Sequence, residues 1–154
     1  MSRRRWMLQT APLLVLGPLA HRSVLAQPDV AAMRLSTALQ AFTAGRPITA
    51  AQDRLSIEID ALVENGNSVP VRIRAVSPMT PEDHVQRMLL LAPRNPQPQV
   101  ALFHLGPYSG RAEVATRFRM AESQTLIALA AHSDGRIFRA QAEVIVTLAA
   151  CLEN

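Results

Sequence analysis

A regular alternation of apolar and polar side chains marks the segment Val69-Pro70-Val71-Arg72-Ile73-Arg74-Ala75. Because successive side chains of a β-strand point to opposite faces of a sheet, this period of two predicts a strand with one buried face. The same alternation runs from Leu55 to Ala61, and the turn residues Glu64-Asn65-Gly66-Asn67 lie between the two segments. The two strands could pair as antiparallel neighbours, or they could belong to different sheets.

Further segments with strand patterns follow toward the C-terminus, and turn or proline residues separate them. They cover residues 85–91, 100–105, 112–120, 125–131 and 140–148. The stretch Ser133-Asp134-Gly135-Arg136 is typical of a hairpin turn, whereas the two prolines within residues 77–81 exclude a central strand there. About seven short strands separated by turns predict an all-β fold, an immunoglobulin-like antiparallel β-sandwich.

A short N-terminal helix is predicted ahead of the strands. Asp29 has the short polar side chain that favours a helix N-cap, and apolar residues recur at helical spacing up to Phe42. The stretch Gly45-Arg46-Pro47 ends the helical pattern. The domain predicted from these elements covers residues 27–148, and a flexible C-terminal arm of residues 149–154 follows it.

Residues 1–26 have the composition of an export signal. The paired arginines Arg3 and Arg4 precede a short apolar stretch, and small or β-branched residues lead up to Ala26. A charged beginning, a short apolar middle and a small-residue cleavage site describe a secretory signal peptide, here cleaved between Ala26 and Gln27. The arginine pair resembles that of the twin-arginine type, which predicts export to the bacterial periplasm. The alternative is a disordered basic leader or a helix on the membrane surface.

The positive net charge of the chain belongs to this leader and not to the domain. The chain has 16 basic residues, all of them arginine, and a formal net charge of +4. Four of the arginines lie within the first 26 residues, which contain no Asp or Glu, so the other 12 are balanced by 12 acidic residues. A surface that binds nucleic acid needs an excess of basic residues, and this class of function is therefore set aside. No apolar run reaches the roughly 18 residues of a membrane-spanning helix.

Motifs for catalysis or for metal binding are missing from the sequence. The four histidines have no ligand spacing, and neither a nucleophile elbow nor a glycine-rich phosphate loop occurs. Glu113 and Glu143 lie on the polar faces of predicted strands, where a solvated role is the simplest interpretation and a catalytic pair stays open. We therefore expect no metal and no cofactor, and an enzyme is the least favoured class of function because no nucleophile–base pair is visible.

Cys151 is the single cysteine of a chain that we expect in an oxidising compartment. An unpaired thiol in such a compartment indicates either an intermolecular bond or a reactive site. The residue lies three positions beyond the last predicted strand, so a short tail could carry its sulfur about 10 Å from the sheet. The alternative is an incidental thiol on a frayed tail.

Several stretches, from about Ala41 to Cys151, resemble the SoxY family. They include Glu64-Asn65-Gly66-Asn67-Ser68-Val69-Pro70-Val71, Ser77-Pro78-Met79-Thr80-Pro81-Glu82-Asp83, Asn95-Pro96-Gln97-Pro98-Gln99-Val100-Ala101 and residues 109–117. The resemblance implies a periplasmic carrier protein that pairs with a SoxZ-like subunit. It also implies that the cysteine of the arm, Cys151, holds the sulfur substrate covalently, while a haem enzyme loads thiosulfate onto it and a hydrolase releases sulfate.

The arm departs from the usual pattern of the SoxY family. Those proteins end in Gly-Gly-Cys-Gly-Gly, whereas this sequence reads Ala149-Ala150-Cys151-Leu152-Glu153-Asn154, which resembles a SoxY-related subgroup with an Ala-Ala-Cys-Ile-Glu arm. Alanine restricts the backbone more than glycine does, Leu152 adds bulk, and Glu153 disfavours the thiolate and repels anionic substrates. We expect the arm to serve a less charged sulfur species or a wider enzyme channel. The alternative is a SoxY-derived binding or assembly protein without carrier chemistry.

Overall fold

A computed structural model describes residues 29–150 of the chain. This part of the chain forms one helix and nine strands, together with two short 3₁₀ turns at residues 52–54 and 107–109. The elements are α1 (Val30–Thr43), β1 (Ile48–Ala50), β2 (Leu55–Glu58), β3 (Leu62–Asn65), β4 (Val69–Ala75), β5 (Val85–Leu91), β6 (Gln99–His104), β7 (Glu113–Phe118), β8 (Gln124–His132) and β9 (Ile137–Leu148).

The strands form two sheets, as expected for a β-sandwich. The larger sheet has the order β1-β9-β8-β5-β6, with β3 also paired to β9, and the smaller sheet has the order β2-β4-β7. Leu55 faces Ala75 across the β2–β4 pair, so the two alternating segments are antiparallel neighbours in one sheet. The all-β sandwich is therefore confirmed, with nine strands in the described part of the chain instead of about seven.

The two additional strands, β1 and β3, explain this difference in number. Both lie beside β9 and run parallel to it, with Ile48 opposite Ile137 and Leu62 opposite Ile145. They are only three and four residues long and are mostly exposed, so they show no alternating pattern. Their main-chain hydrogen bonds require no particular side chains, so neither strand has a pattern that the sequence could reveal. For this reason the turn residues at the end of β3 predicted a turn there and no strand.

The main core lies between the two sheets. It is built from the inward-facing residues of both sheets, among them Leu55, Val69, Val71, Ile73, Met88, Leu90, Leu126, Ala128, Phe138 and Val144. A second core lies on the outer face of the larger sheet, where α1 packs against it through Leu35, Leu39 and Phe42. Because β5 and β8 are covered on both faces, their sequences are almost continuously apolar.

The helix begins and ends where the sequence predicts. The Asp29 carboxylate accepts hydrogen bonds from the backbone N–H groups of Ala31 (3.0 Å) and Ala32 (3.1 Å), which makes it the N-cap. At the other end, Ala44 (φ 49°) and Gly45 (φ 77°) turn the chain through the left-handed region. Within residues 29–150, no helix is both long and apolar enough to cross a membrane.

Three segments meet at the end of the sandwich where β9 finishes. They are the last residues of β9 itself, the turn between β3 and β4 at Gly66, and the loop between β7 and β8 at Met120. The β8–β9 hairpin, with Asp134, lies at the opposite end. The arm therefore leaves the domain from the end that holds Gly66 and Met120.

Candidate functional site

The predicted site residues lie partly outside the described chain. Cys151, Leu152 and Glu153 of the arm are outside residues 29–150, and so are the predicted signal residues Arg3, Arg4, Ala26 and Gln27. Ala149 and Ala150 are described. The structure therefore defines the place where the arm begins, immediately before Cys151.

Ala150 is held against the body of the protein. It is buried, with 8% of the residue exposed, and its N–H donates a hydrogen bond of 3.0 Å to the carbonyl oxygen of Met120. The N–H of Gly66 donates to the carbonyl oxygen of Leu148 at 2.7 Å, and the N–H of Met120 donates to the carbonyl oxygen of Gly66 at 2.8 Å. We call these four residues, Gly66, Met120, Leu148 and Ala150, the arm-root junction.

Glycine is the only residue type that fits at position 66, at the centre of this junction. A Cβ atom placed on it would lie 2.5 Å from the Met120 carbonyl oxygen, 2.8 Å from the Ala150 nitrogen and 3.2 Å from the Leu148 carbonyl oxygen. Its backbone φ is not in the left-handed region, so close packing of three backbone segments is what requires glycine here.

A buried polar network fixes the loop that carries Met120. The Asn95 side-chain oxygen accepts from the N–H of Ala121 (3.0 Å) and from the side-chain amide of Gln124 (3.1 Å). The Asn95 amide donates to the carbonyl oxygen of Arg119 at 2.8 Å, and the Gln124 side-chain oxygen accepts from the N–H of Arg94 at 2.9 Å. Because these groups are buried and paired, the loop on both sides of Met120 is tied to the β5–β6 loop.

The sequence analysis did not identify Gly66, Met120, Asn95 or Gln124 as residues of the site. Their contacts are made mainly through the backbone or through side-chain amides, which have no periodic pattern. Gly66 and Asn95 do lie in two of the stretches that resemble the SoxY family, and both residues are outside the predicted strands. This is the signal that could have identified them.

The three histidines of the described chain lie toward the other end of the sandwich. His132 is at the end of β8, with 1% of its surface exposed, and its Nδ1 is 3.9 Å from the Asp83 carboxylate. Nδ1 of His84 lies 3.0 Å from the carbonyl oxygen of Thr80, and His104 is exposed at the end of β6. No three His, Cys, Asp or Glu side chains within residues 29–150 are grouped so that they could hold a metal ion.

Glu113 and Glu143 do not form a pair. Glu113 lies on the outer face of the smaller sheet, where Arg72 and Arg74 each bind its carboxylate at 2.9 Å. The hydrogen bond from Arg74 and the positive charges around it lower the pKa of Glu113 below its usual value. Glu143 lies on β9, on the outer face of the larger sheet. The two carboxylates thus face away from each other, and the first is a structural ion-pair partner.

Comparison with solved structures first identifies the class of fold. The superoxide reductase (neelaredoxin) from Ignicoccus hospitalis matches with a TM-score of 0.54 and 18% identity, over 60% of this chain and 80% of that chain. The superoxide reductase from Nanoarchaeum equitans matches with a TM-score of 0.51 and 14% identity, over 62% and 95% of the two chains. At these identities the likeness shows a shared β-sandwich and nothing about activity.

A second group of findings identifies the family. The family model described as sulfur oxidation protein SoxY matches residues 39–151. The sulfur carrier protein SoxY from Chlorobium limicola f thiosulfatophilum matches with a TM-score of 0.63 and 30% identity, over 76% of this chain and 99% of that chain. Among curated proteins, none matches the chain. The chain belongs to the SoxY family of sulfur oxidation proteins.

Proposed function

We propose that this protein is a periplasmic sulfur carrier. It holds a sulfur substrate covalently on Cys151 while partner enzymes oxidise it, it acts as a heterodimer with a SoxZ-like subunit, and it is not itself an enzyme. Membership of the SoxY family supports the proposal, and so does the likeness to the Chlorobium carrier over nearly all of that protein's length.

One observation carries the assignment of Cys151. The SoxY family model matches through residue 151, so the match includes the cysteine even though the residues around it are not glycines. Cys151 also directly follows Ala150, the last residue of the arm-root junction. Both observations support Cys151 as the residue that carries the sulfur.

The loading step is the formation of a sulfur–sulfur bond. The thiol of Cys151 and the thiol of a reduced sulfur compound each lose one proton and one electron, and the two sulfur atoms join. The two electrons pass to a haem-containing partner enzyme, which is the oxidant of this step. The reactive form of Cys151 is the thiolate, and Glu153 two residues away disfavours both the thiolate and an anionic adduct. A substrate with little negative charge near the bond is therefore preferred.

Exposed apolar side chains beside the arm support a partner subunit. Leu62 on β3 and Ile145 on β9 are opposite each other in the parallel pair and share one face of the larger sheet. More than half of each residue is exposed, and Leu148 at the end of β9 is exposed as well. Grouped apolar residues on a surface indicate an interaction site. A SoxZ-like subunit covering this part of the face would lie close to the start of the arm.

The proposal is tested by intact mass measurement without reductant, on protein isolated from its own periplasm during growth on reduced sulfur compounds. We expect mass increments that reductant removes, that map to Cys151 and that are absent from a Cys151→Ser variant. The size of the increments identifies the cargo. A bare thiol throughout growth, together with full biological activity of Cys151→Ser, would overturn the proposal and indicate a binding or assembly protein.

A further inference from the structure

Gly66 is the residue through which three backbone segments meet at the start of the arm. We propose that Gly66 is a positioning residue for Cys151: because it lacks a Cβ atom, Ala150 docks on the Met120 carbonyl and the start of the arm is held against the end of the sandwich. The inference deepens the proposed function, on which its meaning for sulfur transfer rests. The docking itself depends only on described residues.

The space around Gly66 leaves no room for a side chain. The distances of 2.5 Å and 2.8 Å from a Cβ atom to the Met120 oxygen and the Ala150 nitrogen are both far inside van der Waals contact. Both of these atoms belong to the backbone, so neither can move aside by a change of rotamer. Any side chain at position 66 therefore has to displace a backbone segment.

The segment that yields is the one that carries Ala150. Met120 is fully buried, and its loop is tied down by the Asn95–Gln124 network on either side. Gly66 lies in the turn between β3, which is paired to β9, and β4, which is paired to β2 and β7. It is itself held by hydrogen bonds to Leu148 and Met120. Between Leu148 and the end of the described chain, only one of these backbone bonds holds the arm, the bond of Ala150 to Met120. A Cβ atom at position 66 breaks this bond first.

Docking of Ala150 decides how far the cargo sulfur reaches. With Ala150 held, the Cα of Cys151 is one residue, about 3.8 Å, from a fixed point of the domain. With Ala150 released, the nearest fixed point is Leu148, and three residues of extended chain span about 10 Å. A partner enzyme must therefore either receive the sulfur at the end of the sandwich or break the bond between Ala150 and Met120 to draw it farther out.

The test measures the mobility of a label on the arm. Cys151 is the single cysteine of the protein, so a nitroxide spin label attaches there without other changes. Electron paramagnetic resonance should give a broad spectrum of restricted motion for the wild type. In the Gly66→Ala variant the spectrum should be narrower, because the label should have a several-fold shorter rotational correlation time. Gly106→Ala is the matched control, because a Cβ atom on Gly106 meets nothing of the described chain within 4 Å, and it should leave the spectrum unchanged.

A second variant keeps the inference falsifiable if Gly66→Ala fails to fold. Ala150→Pro removes the N–H that donates to Met120 and leaves every residue of the sandwich in place. It should release the label in the same way. A freely mobile label in the wild type, or an unchanged spectrum in a folded Gly66→Ala or Ala150→Pro variant, would overturn the inference. Sulfur loading is measured separately by intact mass, so loss of the docking and loss of carriage are told apart.

Discussion

His132 is a residue whose environment differs sharply from that of an ordinary histidine. It is almost fully buried, its ring packs edge-on against Phe138 at 5.2 Å between centroids, and neither ring nitrogen has a hydrogen-bond partner among residues 29–150. Removal from water lowers the pKa of His132, although the nearby carboxylates of Asp134 and Asp83 act in the opposite direction. The folded protein therefore favours the neutral form of this imidazole.

This burial predicts a loss of stability in mild acid. In the unfolded chain His132 has its ordinary pKa near 6.5, so the unfolded state binds a proton first as the pH falls. The free energy of unfolding should therefore decrease as the pH falls below about 6.5, and this contribution should level off below the lowered pKa of the folded state. Urea denaturation at a series of pH values measures the effect.

The matched control for this prediction is His132→Gln, which fills much of the same space without titrating in this range. Its free energy of unfolding should depend less steeply on pH between neutral and mildly acidic conditions than that of the wild type. Equal pH dependence in the two proteins would show that His132 is not the group responsible.

Single residues differ in how much their type alone reveals about their role. Cys151 is noticed because of what it is, a single thiol, and Asp29 because of its type and place before a helix. Gly66 is noticed only as a turn residue, since its contacts with Met120 and Ala150 join segments far apart in the chain. The arm-root junction depends on backbone proximity, which the periodicity of apolar and polar residues does not indicate.

The helix α1 is the element that completes the outer face of the larger sheet. Phe42 near its end is 3% exposed, and the Arg87 guanidinium lies over its ring at 5.0 Å while donating to the Phe42 carbonyl oxygen at 3.1 Å. Apolar side chains of β5, β8 and β9 lie beneath the helix. Phe42 in this last turn is therefore one anchor of α1, together with Leu35 and Leu39 of the preceding turns.

Truncation of this side chain should release much of that attachment. We expect Phe42→Ala to lower the free energy of unfolding by about 3–5 kcal/mol, the usual range for a buried phenylalanine. Met33→Ala, on the exposed side of the same helix, should change it by less than about 0.5 kcal/mol. Chemical denaturation followed by circular dichroism measures both. A small effect of Phe42→Ala would show that α1 is not held by this core.

Among the elements, side-chain pattern determines how well a strand is predicted. The bounds of β4 and β5 agree with the sequence prediction, because one strand alternates cleanly and the other is an apolar run between prolines. The pattern fails for β1 and β3, which are short, exposed and held by backbone pairing to β9. Their position depends on the rest of the sheet, which a local pattern does not contain.

The whole molecule has two different ends, and the proposed chemistry belongs to one of them. The arm-root junction, the Asn95–Gln124 network and the exposed residues Leu62 and Ile145 are grouped where β9 finishes. The ion pairs of Glu113 lie away from this group, on the outer face of the smaller sheet. A subunit that covers Leu62 and Ile145 would therefore lie near the arm-root junction.

This arrangement predicts which surface change weakens the heterodimer. Ile145→Glu places a carboxylate within the proposed interface, where it loses water without gaining a partner. We expect Kd for the SoxZ-like subunit to rise at least about tenfold, equivalent to roughly 1.4 kcal/mol, as measured by isothermal titration calorimetry. Val76→Glu, at a similarly exposed position outside β3 and β9, should bind as the wild type does. Equal affinity of both variants would place the partner elsewhere.

The position of β9 within the larger sheet has a mechanical consequence. The strand that ends in the arm is paired along one side to β8 and along the other to β1 and β3. A pull on the arm therefore loads these hydrogen bonds in shear, so that many must break together, and does not peel the strand off one bond at a time. Tension along the strand can therefore extend the residues after Leu148 while the sandwich behind them stays folded.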